Sequence, residues 1–283
     1  MNGTADAEQV GDDEFTVPSF AGAGPVTLAH RRWMSSDNEE LSAKARRFLA
    51  QAHRNEFRGP RIGRISVSSI GYCPRRQTFQ TLGAPESPPP NAKSHVIMRM
   101  GTWGHLRWQA EGLTAGWLKQ AEVWVTSTFR GKPRVFVDGD PRMALDLPIA
   151  GRMDGILNIT PAHGFELKTT NYRTFDNIRT RGAIPRWHVL QANAYMALAR
   201  LAKMSLVYET RDWGDYHEVV IEPDVAALNE IRSTVTSIRE HVWKGTLPPV
   251  LDDCSWQQGP VYAQCPYRHV CLKVDDIADL RHG

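Results

Sequence analysis

Asp154 and Glu166 are separated by eleven residues, with Lys168 two positions further on, in the segments Gly151-Arg-Met-Asp154 and Phe165-Glu166-Leu167-Lys168. Ile159-Thr160-Pro161 between them suits a hairpin connection. Antiparallel pairing symmetric about Thr160 sets Asp154 opposite Glu166, with Cβ atoms about 5 Å apart. Side chains alternate along a strand, so Glu166 and Lys168 share a face. Two carboxylates and one ammonium then meet at one point. Lys168 alone does not neutralise both acids, and a divalent cation would complete the balance; hard oxygen ligands suit Mg²⁺ or Mn²⁺. An exposed hairpin with an ordinary salt bridge would use the same three residues.

Three further groups accompany this pair. Gln191 and Tyr195 are four apart and lie on one face of a helix; a core tyrosine with a glutamine at its edge has the same spacing. His105 closes the segment Gly101-Thr-Trp-Gly104-His105, whose glycines would let a strand approach a helix closely. The four cysteines are Cys73, 181 residues before Cys254, and then Cys254-x10-Cys265-x5-Cys271. Thiols in a polar, proline-containing tail suit a shared metal better than a core. Tetrahedral zinc is the generic partner of four thiolates.

The pattern Asp154-x11-Glu166-Leu-Lys168 resembles the core of the PD-(D/E)XK nuclease superfamily. Gln191-x-x-x-Tyr195 and Gly101-Thr-Trp-Gly104-His105 resemble the two helix motifs of its RecB-like members. The resemblance implies a restriction-endonuclease-like core in which His105, Asp154, Glu166 and the Leu167 carbonyl hold Mg²⁺ or Mn²⁺. It implies that Lys168 positions the attacking water, and that Gln191 and Tyr195 support the site or touch nucleic acid. Ser68-Ser-Ile-Gly-Tyr-Cys73-Pro-Arg-Arg and Cys265-Pro-Tyr-Arg-His-Val-Cys271 resemble the first and last cysteine motifs of the iron–sulfur subset, which includes AddB-type subunits and CRISPR-associated exonucleases. On that likeness Cys73, Cys254, Cys265 and Cys271 hold a [4Fe–4S] cluster that staples the chain ends together; ten residues follow Cys254 where the family commonly has two. The likeness runs from about Ser66 to Lys273. It implies a DNA exonuclease in recombination, repair or replication, acting on single strands or free ends, with a recombination partner protein or a second copy of itself as company. Two rival readings are a non-catalytic DNA-binding or assembly subunit that keeps the fold, and a zinc-stapled endonuclease.

The elements that must carry these residues read as follows. Residues 1–27 hold five acids and no Lys or Arg, and read as disordered. A basic helical region fills 28–65, with a helix over 39–57. Capping by Ser68 or Ser69 starts a second helix that carries Cys73, Arg75 and Arg76, both arginines being candidates for phosphate contact, as is the basic N-terminal helix. A third helix spans 94–114. Strands are expected at 122–129, 134–137, 151–158, 164–170, 206–209 and 217–221, and helices at 174–181, 187–202 and 224–243. This order predicts one α/β domain over 66–273, a mixed central sheet flanked by helices, with the cysteine cluster stapled to an N-terminal helix and a tail at 274–283. Trp103, Trp108 and Tyr172 are candidates for base stacking.

Composition is compatible with this reading. The 283 residues are 41% hydrophobic, enough for a sizeable core. Without the acidic first 27 residues, the chain carries 34 basic against 26 acidic residues, a balance suited to a polyanion. There is no apolar run of membrane-spanning length and no secretory-signal pattern at the start, so a cytoplasmic or nucleoid-associated location is expected.

Overall fold

The computed structural model describes residues 24–36, 40–54, 63–87, 92–129, 132–133, 148–212, 214–255 and 265–281. Helices α1 (Pro25–Met34) and α2 (Ala43–His53) lead to a short strand β1 (Ile65–Ser66), a 3₁₀ turn (Val67–Ser69), α3 (Pro74–Leu82) and the long α4 (Ala92–Ala115). Strands β2 (Leu118–Thr126), β3 (Thr128–Phe129), β4 (Lys132–Pro133), β5 (Ile149–Leu157) and β6 (His163–Thr170) come next. Then follow α5 (Tyr172–Arg181), α6 (Arg186–Ala199), β7 (Lys203–Thr210), β8 (Tyr216–Ile221) and α7 (Val225–Lys244). Two single turns, α8 (Asp252–Ser255) and α9 (Arg268–Cys271), and a 3₁₀ helix (Ala278–Arg281) close the described chain.

The expected mixed α/β architecture is present. Among the described residues, β1, β2, β5, β6, β7 and β8 form one sheet with parallel β1–β5 and β6–β7 pairs and antiparallel β2–β5, β5–β6 and β7–β8 pairs. Helices cover both faces. Tyr195 and Leu190 of α6 join Ile231, Val235 and Ile238 of α7 against Met153, Leu206 and Tyr208. On the other side Val26 of α1, Ala45 and Phe48 of α2 and Trp108 of α4 pack on Phe165, Leu167 and Val207.

Several expectations are corrected. Helix α1 begins inside the segment read as disordered, because a partner distant in sequence fixes its first turn. The Glu218 carboxylate on β8 accepts hydrogen bonds from the Thr27 amide (2.9 Å), the Val26 amide (3.4 Å) and the Thr27 hydroxyl (3.1 Å), neutralising donors that a helix start leaves unpaired. Strand β2 starts at Leu118, before the expected 122. Helix α3 opens at Pro74 with Cys73 as its N-cap, so Ser68 and Ser69 belong to the preceding 3₁₀ turn and do not cap it. The strand expected at 134–137 lies outside the described residues.

Arg75 does not face solvent, so its assignment to phosphate is overturned. It is 5% exposed and donates to the carbonyls of Pro248 (2.8 Å), Cys271 (3.0 Å) and Val274. A buried guanidinium that satisfies three carbonyls from the C-terminal segment ties that segment to α3. Phe79, Leu247 and Tyr267 fill the space beneath it. Trp108 is likewise core, fully buried at 0% exposure, and no stacking platform.

His30 of α1 stacks on Trp108 with centroids 4.0 Å apart. Burial, reinforced by Arg107, pushes its pKa from 6.5 to about 4. An unfolded chain binds a proton near 6.5 that the folded one refuses until about 4, so this group's contribution to stability is lost as pH falls through that window. Replacing His30 by Gln is expected to flatten the loss of stability between pH 7 and pH 5, read as urea midpoints at the two pH values. An unchanged pH slope would refute the assignment.

Candidate active site

The site lies where the sheet splits. Strand β1 pairs with Ile149 and Ala150 of β5, and β6 pairs with Gly155 and Ile156. Among the described residues, neither ladder includes 151–154, which lie between the two. Buried main-chain groups left without a ladder must find other partners, and here side chains supply them. The Tyr195 hydroxyl donates to the Arg152 carbonyl at 2.7 Å, the Gln109 amide donates to the Asp154 carbonyl at 2.9 Å, and the Asp154 amide approaches Glu166 Oε2 at 3.4 Å. Gly151 permits the close packing beneath the split, since a Cβ there would sit 2.7 Å from that of Val67 and 3.1 Å from the Tyr195 ring.

The β5–β6 register is the one expected from the sequence, Gly155 opposite Phe165, symmetric about Thr160. It brings Asp154 and Glu166 side by side, both buried. Asp154 Oδ2 accepts from the Leu167 amide at 2.7 Å and lies 2.9 Å from His105 Nδ1. Glu166 Oε1 accepts from Lys168 Nζ at 2.9 Å and from Gln191 Nε2 at 2.7 Å, and Lys168 also donates to Gln191 Oε1 at 2.7 Å. The predicted His105, Asp154, Glu166, Lys168 and Gln191 thus converge. Leu167 enters through its amide.

Tyr195 is 0% exposed and braces the β5 backbone, so its part is positional. Tyr195→Phe, which strands a buried carbonyl, is expected to cost about 1–3 kcal/mol in urea unfolding. Unchanged stability would refute the bracing role.

Helix α4 carries His105 to this point because Gly101 and Gly104 accept Thr169 of β6. A Cβ on Gly104 would lie 3.0 Å from the Thr169 methyl, and one on Gly101 3.2 Å from its hydroxyl. The sequence reading missed Gln109, one turn beyond His105 on the same helix face, where i, i+4 spacing could have flagged it. It also missed Glu122, opposite Asp154 across β2 and β5. Glu122 accepts from Gln109 at 2.9 Å, pairs with Arg152 at 3.3 Å and has a left-handed φ of 54°. Its signal was hidden because β2 was expected to start at this residue.

The electrostatics match crowded anions. Burial, then Asp154, pushes the Glu166 carboxyl above the usual range despite Lys168. Burial also raises Glu122, with Asp154 contributing. Burial works against a charged His105, but the Asp154 and Glu166 carboxylates outweigh it and raise the imidazole pKa. Beyond Lys168 a cavity of about 350 Å³ is lined by His105, Thr170, Trp187 and His188. There the His188 Nδ1 lies 2.9 Å from the Tyr208 hydroxyl, and burial with Lys168 holds the imidazole neutral, its pKa down to about 3.

The four cysteines gather around one small void of about 30 Å³, with Phe79 and Leu251. Burial raises the Cys73 and Cys271 thiols, and each feels Cys265. Among the described residues, no group of three or more His, Cys, Asp or Glu side chains is already closed on a common metal position. At the carboxylates, Glu166 Oε1 is held by Lys168 and Gln191, and Asp154 Oδ2 by the Leu167 amide and His105. The donor sets themselves, carboxylate oxygens with an imidazole in one group and four thiols in another, suit a hard divalent cation and a thiophilic centre respectively.

No protein-family model and no curated protein matches the chain. Among solved structures it is similar to SSO0001, with 18% identity, 81% of this chain and 94% of that one covered, and a TM-score of 0.44. It is similar to the alkaline exonuclease LHK-Exo from Laribacter hongkongensis, with 16% identity, 67% and 93% covered, and a TM-score of 0.47. It is also similar to a phage-related exonuclease from Haemophilus somnus, with 11% identity, 64% and 95% covered, and a TM-score of 0.38. Among the described residues, no helix is long and apolar enough to cross a membrane.

Proposed function

We propose that this protein is a metal-dependent DNA nuclease, acting as an exonuclease on single strands or free ends. The observation that carries the reading is the Asp154–Glu166 pair beside the gap that β1 and β6 leave along one edge of β5, with Lys168 and Gln191 clamped on Glu166. Burying two carboxylates together is costly for a purely structural feature, and the same geometry is productive if the acids receive a cation. Asp154 and Glu166 would hold Mg²⁺ or Mn²⁺, with His105 beside Asp154. When bound, such an ion supplies Lewis-acid polarisation of the phosphodiester.

The remaining roles belong to the chain. Lys168, fixed by two hydrogen bonds, aims a positive charge at the position where charge builds up on the phosphoryl oxygens, and orients the attacking water. Gln191 keeps the ammonium and the Glu166 carboxylate in register. The thiols of Cys73, Cys254, Cys265 and Cys271 are read as ligands of a [4Fe–4S] cluster. The void they share, and the tail already drawn to α3 by Arg75, support that placement.

The test is cleavage of end-labelled single- and double-stranded DNA with Mg²⁺ or Mn²⁺, on protein purified without air. A ladder shortening from one end and abolished by EDTA supports the proposal. DNA binding without any cleavage by iron-replete protein would refute the nuclease reading and favour a non-catalytic DNA-binding subunit.

A further inference from the structure

The cavity beside Lys168 holds a second donor that the carboxylate centre leaves unused. His105, Lys168, His188, Tyr208 and three threonines line it, and no Asp or Glu side chain enters the lining. A space bounded by an ammonium, imidazoles and hydroxyls, without a carboxylate, favours an anion.

Register and helix period explain who meets there. Lys168 of β6 stands beside Tyr208 of β7 in the parallel ladder, so the two side chains share a face on strands about 4.8 Å apart. Helix α6 lies over that face. His188 is three residues before Gln191, so both lie on one side of the helix. Gln191 reaches Glu166 and Lys168, and His188 reaches Tyr208.

Hydrogen-bond accounting leaves two N–H groups over. An ammonium has three donors. Lys168 gives two, to Glu166 and Gln191, and the third has no acceptor among the described residues. Tyr208 is fully buried, and among the described residues its hydroxyl meets only His188 Nδ1, at 2.9 Å. Burial, then Glu166, keeps that phenol protonated. Its proton has one acceptor to go to, and a buried O–H left unpaired is costly. The hydroxyl therefore donates and Nδ1 accepts. The imidazole, held neutral by burial and Lys168, then carries its own proton on Nε2. Nε2 has no partner among the described residues and is not sealed from solvent.

We propose that His188 is a phosphate-contacting residue of the active centre, donating Nε2–H to a phosphodiester oxygen beside the one that Lys168 serves. The inference deepens the nuclease reading and rests on it for the identity of the anion. The proton stays on Nε2 throughout. A fixed neutral donor gains strength as negative charge builds on the phosphoryl oxygens, and it sits beside Lys168 without the repulsion a second cation would meet. Tyr208 acts through His188 and is a positioning residue, since it fixes the tautomer.

Breaking the His188–Tyr208 bond from either end separates this role from simple packing. The full chain and its variants are compared by cleavage of end-labelled DNA at saturating substrate with Mg²⁺. His188→Ala should lower kcat by roughly 10²-fold, the scale of removing one preorganised donor. His188→Gln, whose amide offers an N–H in place of Nε2–H, should recover most of it. Tyr208→Phe breaks the same bond but leaves Nε2 in the cavity, so its kcat should fall no more than about tenfold. Equal losses in His188→Ala and Tyr208→Phe would mark a structural pair and overturn the proposal, as would parental kcat in His188→Ala.

A second readout needs no turnover. Ring ¹⁵N shifts of histidine-labelled protein in EDTA at pH 7 are recorded, with His188 assigned by its absence from His188→Gln. They should show a neutral Nε2–H tautomer, and they should move when a short oligothymidylate is added. An Nδ1–H tautomer, or signals indifferent to the oligonucleotide, would count decisively against the contact. If the parent cuts no DNA but the His188 signals still move and His188→Ala weakens oligothymidylate binding, the contact stands and the nuclease reading falls. If parent and His188→Ala cut equally well, the contact falls and the nuclease reading stands.

Discussion

Lys168→Ala is expected to lower the rate of metal-dependent DNA cleavage by roughly 10²–10⁴-fold, the range for removing a positioned charge or proton-transfer group from an active site. The fold should survive. Lys168 reaches only Glu166 and Gln191 by hydrogen bonds, and a buried carboxyl already pushed upward by burial and Asp154 can take a proton when its cation is removed. Far-UV circular dichroism and the urea midpoint should therefore stay close to the parent's. Lys168→Arg should rescue little, since a planar fork cannot bond to Glu166 and Gln191 as a compact ammonium does. Parallel collapse of folding and cleavage would show Lys168 to be structural; full activity in Lys168→Ala would remove it from the mechanism.

Cys271→Ala should have the second large effect, on stability. If the four thiols hold an iron–sulfur cluster, losing one ligand should abolish the visible absorbance. It should also release the C-terminal segment, at a cost of several kcal/mol (~3–5) by analogy with other lost metal or covalent staples. The Arg75 bonds to Pro248, Cys271 and Val274 should hold part of the tail even then. Bound metal measured on the parent separates iron with sulfide from zinc. A Cys271→Ala protein with parental stability and unchanged metal content would end the staple hypothesis.

These two experiments address features with different legibility in the sequence. The acid–acid–lysine centre is set by local rules. A short hairpin connection centred on Thr160 and the two-residue period of strands suffice to place Asp154 beside Glu166 and to put Lys168 on the Glu166 face, and the observed register is the one those rules demand. The i, i+4 rule likewise put Gln191 and Tyr195 on one helix face, but could not say that one would reach the carboxylate and the other the backbone of β5. Helix positions were legible to within a few residues wherever periodicity and caps agreed, as at α7, which Asp224 caps at its start and Gly245 ends.

Long-range closure decided the rest. Nothing local distinguishes Arg75 from Arg76, yet one is buried under three carbonyls from residues more than 170 positions away, while the other lies over the Tyr72 ring. Helix α1 owes its start to Glu218, a residue 191 positions from Thr27, and a partner so distant leaves no trace in the helix's own periodicity. Glu122 became part of the site through the β2 register, which depends on which strand β5 selects as its neighbour. The split in the sheet is likewise a tertiary fact: β1 and β6 share one edge of β5 and leave 151–154 between them. The sequence by itself determined the chemistry at the centre, because alternation and turn length are properties of the chain. Only the tertiary structure decided what surrounds that centre, because burial and pairing across the sheet depend on residues that meet only when the chain has closed.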